Sequence, residues 1–413
     1  MARMLAPAGY PLGMSFRIYD PSPDACAGQV VADHVAAGFD DKAALRRFAE
    51  GLDVVTYEWE NVPVEAVRFL SPLVRVEPSV GALEVAQDRF LEKGLFRKLN
   101  IDTAPYAAVD SLDDLRAAAG VVGLPAVLKT RRLEEDGKGQ VKLESMVDIE
   151  PAWRALSGEP LILEGFVQFE RELSILAARG PVRPTPMSVS RMNLQGQTAQ
   201  GNLVTASGSP APGDWLREQM RRLRAGSAPR ALSLAFGGAD LVFYPVVENV
   251  HSEGILRTSR APAPNLAPEL QAEAEDIAAL VMEATGYIGV LAIELFEHEG
   301  RPLANEMAPR VHNSGHWTIE GAETSQFENH LRAICGLPLG PTAVRGHSAM
   351  VNLIAHVPES DALLRVPGTH LHLYGKEPRR GRKIGHITVR VDDAATIESS
   401  LSRIGRLIEN NGG

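Results

Sequence analysis

Residues 289 to 309 read GVLAIELFEHEGRPLANEMAP. One apolar run breaks at EHEGRP and a second follows, the pattern of two strands joined by a turn. So arranged, Glu294 and Glu306 lie on neighbouring strands with Asn305 beside the second. Two carboxylates and an amide oxygen facing one spot suit a hard, oxygen-liganded cation such as magnesium, which commonly bridges carboxylates to phosphates. The pair also fits an ordinary hairpin with solvated carboxylates. Glu294, however, interrupts the apolar run VLAIELF, where a carboxylate is costly to bury unless it is paired or metal-bound.

Working outward, LPAVLKTRRLEEDGKGQVKL (124 to 143) gives a second hairpin. Lys129 ends its apolar strand, placing an ammonium at the mouth of a sheet as a point charge for phosphate. In DGKGQ, Gly137 and Gly139 let backbone N–H groups approach an anion closely, with Lys138 as a second cation. Alone, this turn is equally a plain hairpin. In LILEGFVQFEREL a strand ends at Glu164 and Val167, where exposed backbone groups suit an adenine edge, and Glu172 shares a face with Ser174.

Strand and helix candidates alternate before residue 82: SFRIYD as strand, DKAALRRFAEGL as helix, DVVTYEWE as strand. They predict a parallel α/β domain. From 83 to 343 a charged amphipathic helix, GALEVAQDRFLEKGLFRKLN, and successive hairpins predict an α+β domain. Residues 181 to 238, rich in Pro, Gly, Ser and Arg, read as an insertion with a short helix at WLREQMRRLRA. From 344 to 413, HSAMVNLIAH, THLHLYGK and KIGHITVRV predict a small β-rich domain.

The 413 residues carry a net charge of −10, which argues against a nucleic-acid or anionic-membrane binder. Anions must then be held locally, and RRLRAGSAPR (221 to 230) and YGKEPRRGRK (374 to 383) are the basic candidates. No apolar run reaches membrane-spanning length. The opening MARMLAPAGYPLG lacks the apolar core of a secretory signal, so a cytoplasmic protein is expected. Cys26 and Cys335 are far apart and read as buried small hydrophobes.

VTYEWENVP, QDRFLEK, LKTRR, DGKGQ, LILEGFVQFERELS, YPVVENVHSEGILR, AIELF, NEMAPRVHNSGHWT and YGKEPRRGRKIGHI follow one another in an order that resembles 5-(carboxyamino)imidazole ribonucleotide synthase, an ATP-grasp family. The resemblance implies an N-terminal pre-ATP-grasp domain, a central ATP-grasp domain and the small C-terminal one. It implies a ligase of purine biosynthesis that joins bicarbonate to 5-aminoimidazole ribonucleotide as ATP becomes ADP and phosphate, through carboxyphosphate.

Carried over by position, the resemblance implies that ATP is held by Arg89, Lys129, the turn Asp136, Gly137, Lys138, Gly139 and Gln140, the hinge Glu164, Gly165, Phe166 and Val167, together with Glu172, His251, Asn305 and Glu306. Glu294 and Glu306 would bind magnesium or manganese. Arg310, Lys376, Arg382 and Lys383 would face bicarbonate and the ribonucleotide's anionic groups. A homodimer is implied too.

Three departures accompany the resemblance. The chain opens on a helix where the family has a strand and a GGGQLGRM-like turn, which predicts an upstream segment or a truncated product. Leu133, Glu134 and Glu135 replace Gly, Gly and Tyr, and Gly165 stands where a carboxylate or amide is frequent. Other ATP-grasp ligases, such as formate-dependent glycinamide ribonucleotide transformylase, lack HNSGHWT and YGK..R.GRK. A catalytically impaired nucleotide-binding relative is the reading the altered hairpin favours.

Overall fold

The computed structural model describes residues 1–132, 139–182 and 239–410. Asp136, Gly137, Lys138, the LEE stretch, the basic cluster at 221 to 230 and the helix expected at 215 to 225 lie outside the described residues. Of the expected insertion, only Pro181 and Val182 are described, and they end a strand.

In the N-terminal region Arg17–Tyr19 and Asp33–Val35 pair in parallel, followed by helices Lys42–Ala49 and Val64–Leu70. Asp41 starts the first of these helices by accepting the N–H groups of Ala43 and Ala44. The strand expected over 53 to 60 is reduced to one parallel bridge, Val55 to Val76. Beyond it, Glu58 accepts from the N–H of Ala2 and Glu60 from Arg310, so this stretch serves side-chain contacts instead of a ladder.

The single helix expected after residue 83 is two helices, Val80–Ala86 and Arg89–Lys98. Asp88 divides them: its carboxylate accepts the N–H groups of Phe90 and Leu91, a cap that begins a new helix.

Two antiparallel sheets follow. The smaller runs in the order Tyr106–Val109, Leu161–Gly165, Ala126–Thr130, Gln140–Leu143. Helices Leu112–Val122 and Ile149–Leu156 cover it, closing a core of Leu115, Leu128, Leu143, Ile149 and Leu163. The larger has nine described strands. Eight run in the order Arg301–Ala308, Gly289–His298, Arg171–Val182, Val247–Ser252, Ile255–Ala261, His347–Ile354, Lys383–Val391, Thr369–Leu373; Ala239–Phe243 pairs beside Arg171–Val182. The C-terminal strands thus continue this sheet while keeping their own core of Leu353, Leu363, Ile387 and Ile404.

The central strands are apolar on both faces. Leu173, Ile175, Leu291 and Ile293 pack toward helix Pro268–Ala284, while Leu176, Val290 and Ala292 pack with Trp317, Phe327 and Leu331. Alternation along a strand sends neighbouring residues to opposite faces, so this sheet is buried on both sides. No helix among the described residues is long and apolar enough to cross a membrane. Cys26 is half-buried and Cys335 exposed, correcting the expectation that both are buried.

Candidate active site

Toward one end of the large sheet, one face changes character. Leu176, Ala292 and Ala308 form an apolar cross-strand row; two residues along, the row becomes Ser174, Glu294 and Glu306. Glu294 and Glu306 open on a cavity of about 600 Å³ whose other wall is the small sheet and its hinge. Fourteen of the expected residues line it: Arg89, Lys129, Gln140, Glu164, Gly165, Phe166, Val167, Glu172, His251, Glu294, Asn305, Glu306, Arg310 and Lys383. Lys376, Arg382 and Gly139 are described but lie outside the lining.

In a regular strand Asn305 and Glu306 would point to opposite faces. The ladder shifts between Glu294 and Leu295, which face Glu306 and Ala304, so Asn305 is the extra residue of a β-bulge. Both side chains therefore reach the cavity wall. Burial, then the facing Glu306, pushes the Glu294 carboxyl up to about 7. A buried carboxyl raised by a facing carboxylate marks a place where a further positive charge would be stabilising. Two carboxylates and an amide fit a cation that takes its remaining oxygens from phosphates and water.

A buried hydrogen-bond chain ends at Glu294. Ser259 donates to Asn249 at 2.7 Å, Asn249 Nδ2 to Ser174 Oγ at 3.0 Å, and Ser174 to Ser314 Oγ at 2.8 Å. Ser314 Oγ lies 2.8 Å from His312 Nδ1, which also accepts the Ser314 backbone N–H at 3.3 Å. A backbone N–H only donates, so Nδ1 is the acceptor and the imidazole proton sits on Nε2, 3.3 Å from Glu294. Burial, then Arg310, pushes His312 down to about 3, keeping it neutral.

Across the cavity, Lys129 and Lys93 stand 3.3 and 3.5 Å from Glu164. Burial works against the Glu164 carboxylate, yet the two ammonium groups hold it down to about 2. Its second oxygen is buried without a partner among the described residues. The hinge backbone is fixed where Gly165 donates to Pro105 and Phe166 to Pro125. A Cβ at Gly165 would meet Pro105 at 3.3 Å, a close approach that suits glycine. Glu172 pairs with His251; burial lowers the His251 pKa, but this hydrogen bond, joined by the Glu294 charge, outweighs it and the net shift is upward.

Arg310 forms an ion pair with Glu60, whose carboxyl it holds down against burial, and Arg89 reaches Glu306 at 3.0 Å. Glu60, Glu92, Lys93 and His312 were not singled out from the sequence. Helical spacing from Arg89 marks Glu92 and Lys93 as sharing its face; no local signal marks the other two.

Two antiparallel units gripping a charged cavity between a hinge and a carboxylate pair define an ATP-grasp ligase. An ATP-grasp domain matches residues 94–205 and 235–327, a ribonucleotide synthetase preATP-grasp domain 1–87, and a phosphoribosylaminoimidazole carboxylase C-terminal domain 348–400. The chain is 44% identical over 409 residues to N5-carboxyaminoimidazole ribonucleotide synthase of Pseudomonas aeruginosa, covering 99% of this chain and 97% of that one. It is 39% identical over 393 residues to the Brucella melitensis protein of that name, covering 94% and 93%.

The crystal structure of the Thermus thermophilus synthetase superposes with a TM-score of 0.82 at 49% identity, covering 98% and 95%. That of the Aspergillus clavatus enzyme with ADP and 5-aminoimidazole ribonucleotide superposes with 0.79 at 26%, covering 99% and 96%. The chain belongs to the N5-carboxyaminoimidazole ribonucleotide synthase family, the one its sequence motifs resemble.

Proposed function

We propose that this cavity carries out the ATP-dependent carboxylation of 5-aminoimidazole ribonucleotide by bicarbonate. The observation that carries the reading is the carboxylate pair Glu294 and Glu306 lining one cavity with the hinge Glu164 to Val167 and with Arg310, which is paired to Glu60.

The hinge backbone takes the adenine edge, Glu172 the ribose, and Arg89, Lys129 and Gln140 the phosphates, joined by Asp136 to Gly139. Glu294 and Glu306, with Asn305, hold magnesium, which when bound neutralises phosphate charge and fixes the nucleotide's orientation. Arg310 binds bicarbonate next to the terminal phosphate. Positioning and charge neutralisation are most of what phosphoryl transfer requires.

Transfer of the terminal phosphoryl group to bicarbonate releases ADP and gives carboxyphosphate, which decomposes in water; the cavity holds it until the ribonucleotide amine takes the carboxyl group and phosphate leaves. Lys383 at the cavity edge, with Arg382 and Lys376 on the adjoining turn, grips the anionic ribonucleotide. The reading includes a cytoplasmic homodimer built from the domains 1–82, 83–343 and 344–413.

The test is ADP release from purified protein given ATP, magnesium and bicarbonate, with and without 5-aminoimidazole ribonucleotide. Release that depends on the ribonucleotide is expected. Nucleotide binding with no such dependence would sink the assignment in favour of an impaired relative.

A further inference from the structure

The β-bulge that sends Asn305 and Glu306 into one cavity leaves strand backbone to be satisfied from outside the ladder. Two consecutive residues of helix Arg89–Lys98 do this. Lys93 Nζ donates to the Asn305 carbonyl at 2.9 Å, and Glu92 accepts the Met307 N–H at 2.5 Å. Arg89, on the same helix face, meets the Glu306 carboxylate. Residues 89, 92 and 93 thus grasp 305, 306 and 307 at carbonyl, side chain and N–H.

Lys93 is fully buried, and all three of its ammonium protons have acceptors within reach: the Asn305 carbonyl, Thr103 Oγ1 at 3.0 Å and Glu164 at 3.5 Å. Thr103 donates in turn to the Ala304 carbonyl at 2.8 Å, so it braces the same strand. Glu164 belongs to the hinge of the other sheet. One buried cation therefore touches both walls of the cavity. Burying an ammonium costs several kcal/mol, and packed apolar groups often serve stability as well or better; its placement at the bulge calls for another explanation.

We propose that Lys93 is a positioning residue that ties the Asn305–Glu306 bulge to the hinge carboxylate Glu164, holding the metal-binding side chains and the adenine hinge at one fixed spacing. Glu92 fixes the following N–H. This rests on the proposed metal role of Glu294 and Glu306. Loss of the tie lets the bulge relax toward a regular register, which turns one of Asn305 and Glu306 away from the cavity.

The experiment uses the full chain and four forms: wild type, Lys93→Met, Glu164→Gln and the double variant. ADP affinity is measured by calorimetry with and without magnesium, alongside the thermal midpoint. In wild type magnesium tightens ADP. In Lys93→Met that tightening falls about tenfold or more, the size expected when a group supporting metal ligands is lost. The double variant removes the unpaired Glu164 charge, regains thermal stability and still lacks the magnesium effect, whereas Glu164→Gln alone weakens ADP through the hinge but, with Lys93 still on the Asn305 carbonyl, shows a larger magnesium effect than the double variant.

A double variant that recovers both stability and the magnesium effect would show that Lys93 only balances charge, overturning the proposal. Lys93→Met with a wild-type magnesium effect overturns it equally. Wild type indifferent to magnesium overturns the metal assignment together with the tie, whereas failure of the ribonucleotide assay alone leaves these binding measurements standing. If Lys93→Met does not fold, the double variant against Glu164→Gln decides.

Discussion

Two segments bring charge to this cavity and are held in opposite ways. The bulge at 305 to 307 rests on buried Glu92 and Lys93, and Glu294, facing it, is the end of a buried hydrogen-bond chain four strands wide. The turn at 374 to 383 is different: Glu377 to Arg380 are exposed, Lys376 sits 5.7 Å above its near neighbour Tyr374, and Arg382 donates to the Glu377 carbonyl at 3.2 Å. Metal and phosphate geometry tolerates little error, so its supports are rigid and buried. Gripping an anionic substrate tolerates more, and long cationic side chains on a turn suffice.

Removing a side chain from the rigid segment should break the contrast most severely. Glu306→Ala is expected to lower magnesium-dependent turnover about 10²- to 10³-fold while the thermal midpoint stays within a few degrees, because the side chain is partly exposed and pairs with Arg89. Steady-state ADP release beside a melting curve checks both; unchanged turnover refutes the metal role.

The rigid side also has a pH signature. His330 is fully buried, its Nδ1 accepts the Val290 N–H at 3.1 Å at the base of the hairpin, and its Nε2 meets Thr56 at 2.8 Å. Burial pushes its pKa from 6.5 down to about 4. A depressed folded-state pKa gives stability that is present above 6.5 and lost as pH falls toward 4, since the unfolded chain takes up the proton first. Up to about 3 kcal/mol goes in that window. Urea midpoints at pH 7 and pH 4 should differ less for His330→Gln than for wild type; an equal difference in the two would remove His330 from the account.

On the turn, Lys376→Ala or Arg382→Ala should raise the ribonucleotide KM about tenfold, with little change in ATP affinity. An equal loss in ATP affinity would show the turn to be part of the nucleotide wall, and the contrast would fail.

Much of this was legible in advance. The 289 to 309 hairpin, the Lys129 strand, the hinge strand and the three C-terminal strands lie where period-two alternation and turn residues put them. The errors were local. The split at Asp88 was missed because helical periodicity continues across a cap, and 53 to 60 looked like a strand although its side chains are engaged elsewhere. Of Lys376, Arg382 and Lys383, it is Lys383 that lines the cavity, a difference of position that their closeness in sequence does not show.

The sequence alone marked the 289 to 309 hairpin, the Lys129 and hinge strands and the three C-terminal strands, which residues bring carboxylate and ammonium groups, and which family their order resembles. Propensity, alternation and motif spacing act over a few residues and can be read along the chain. Tertiary structure alone decided that Asn305 and Glu306 share a face, that Lys93 holds the Asn305 carbonyl from 212 residues away, and that His312 turns its Nε2 proton toward Glu294. A bulge and a buried polar chain are fixed by partners from distant elements, which only the folded packing brings within hydrogen-bond range.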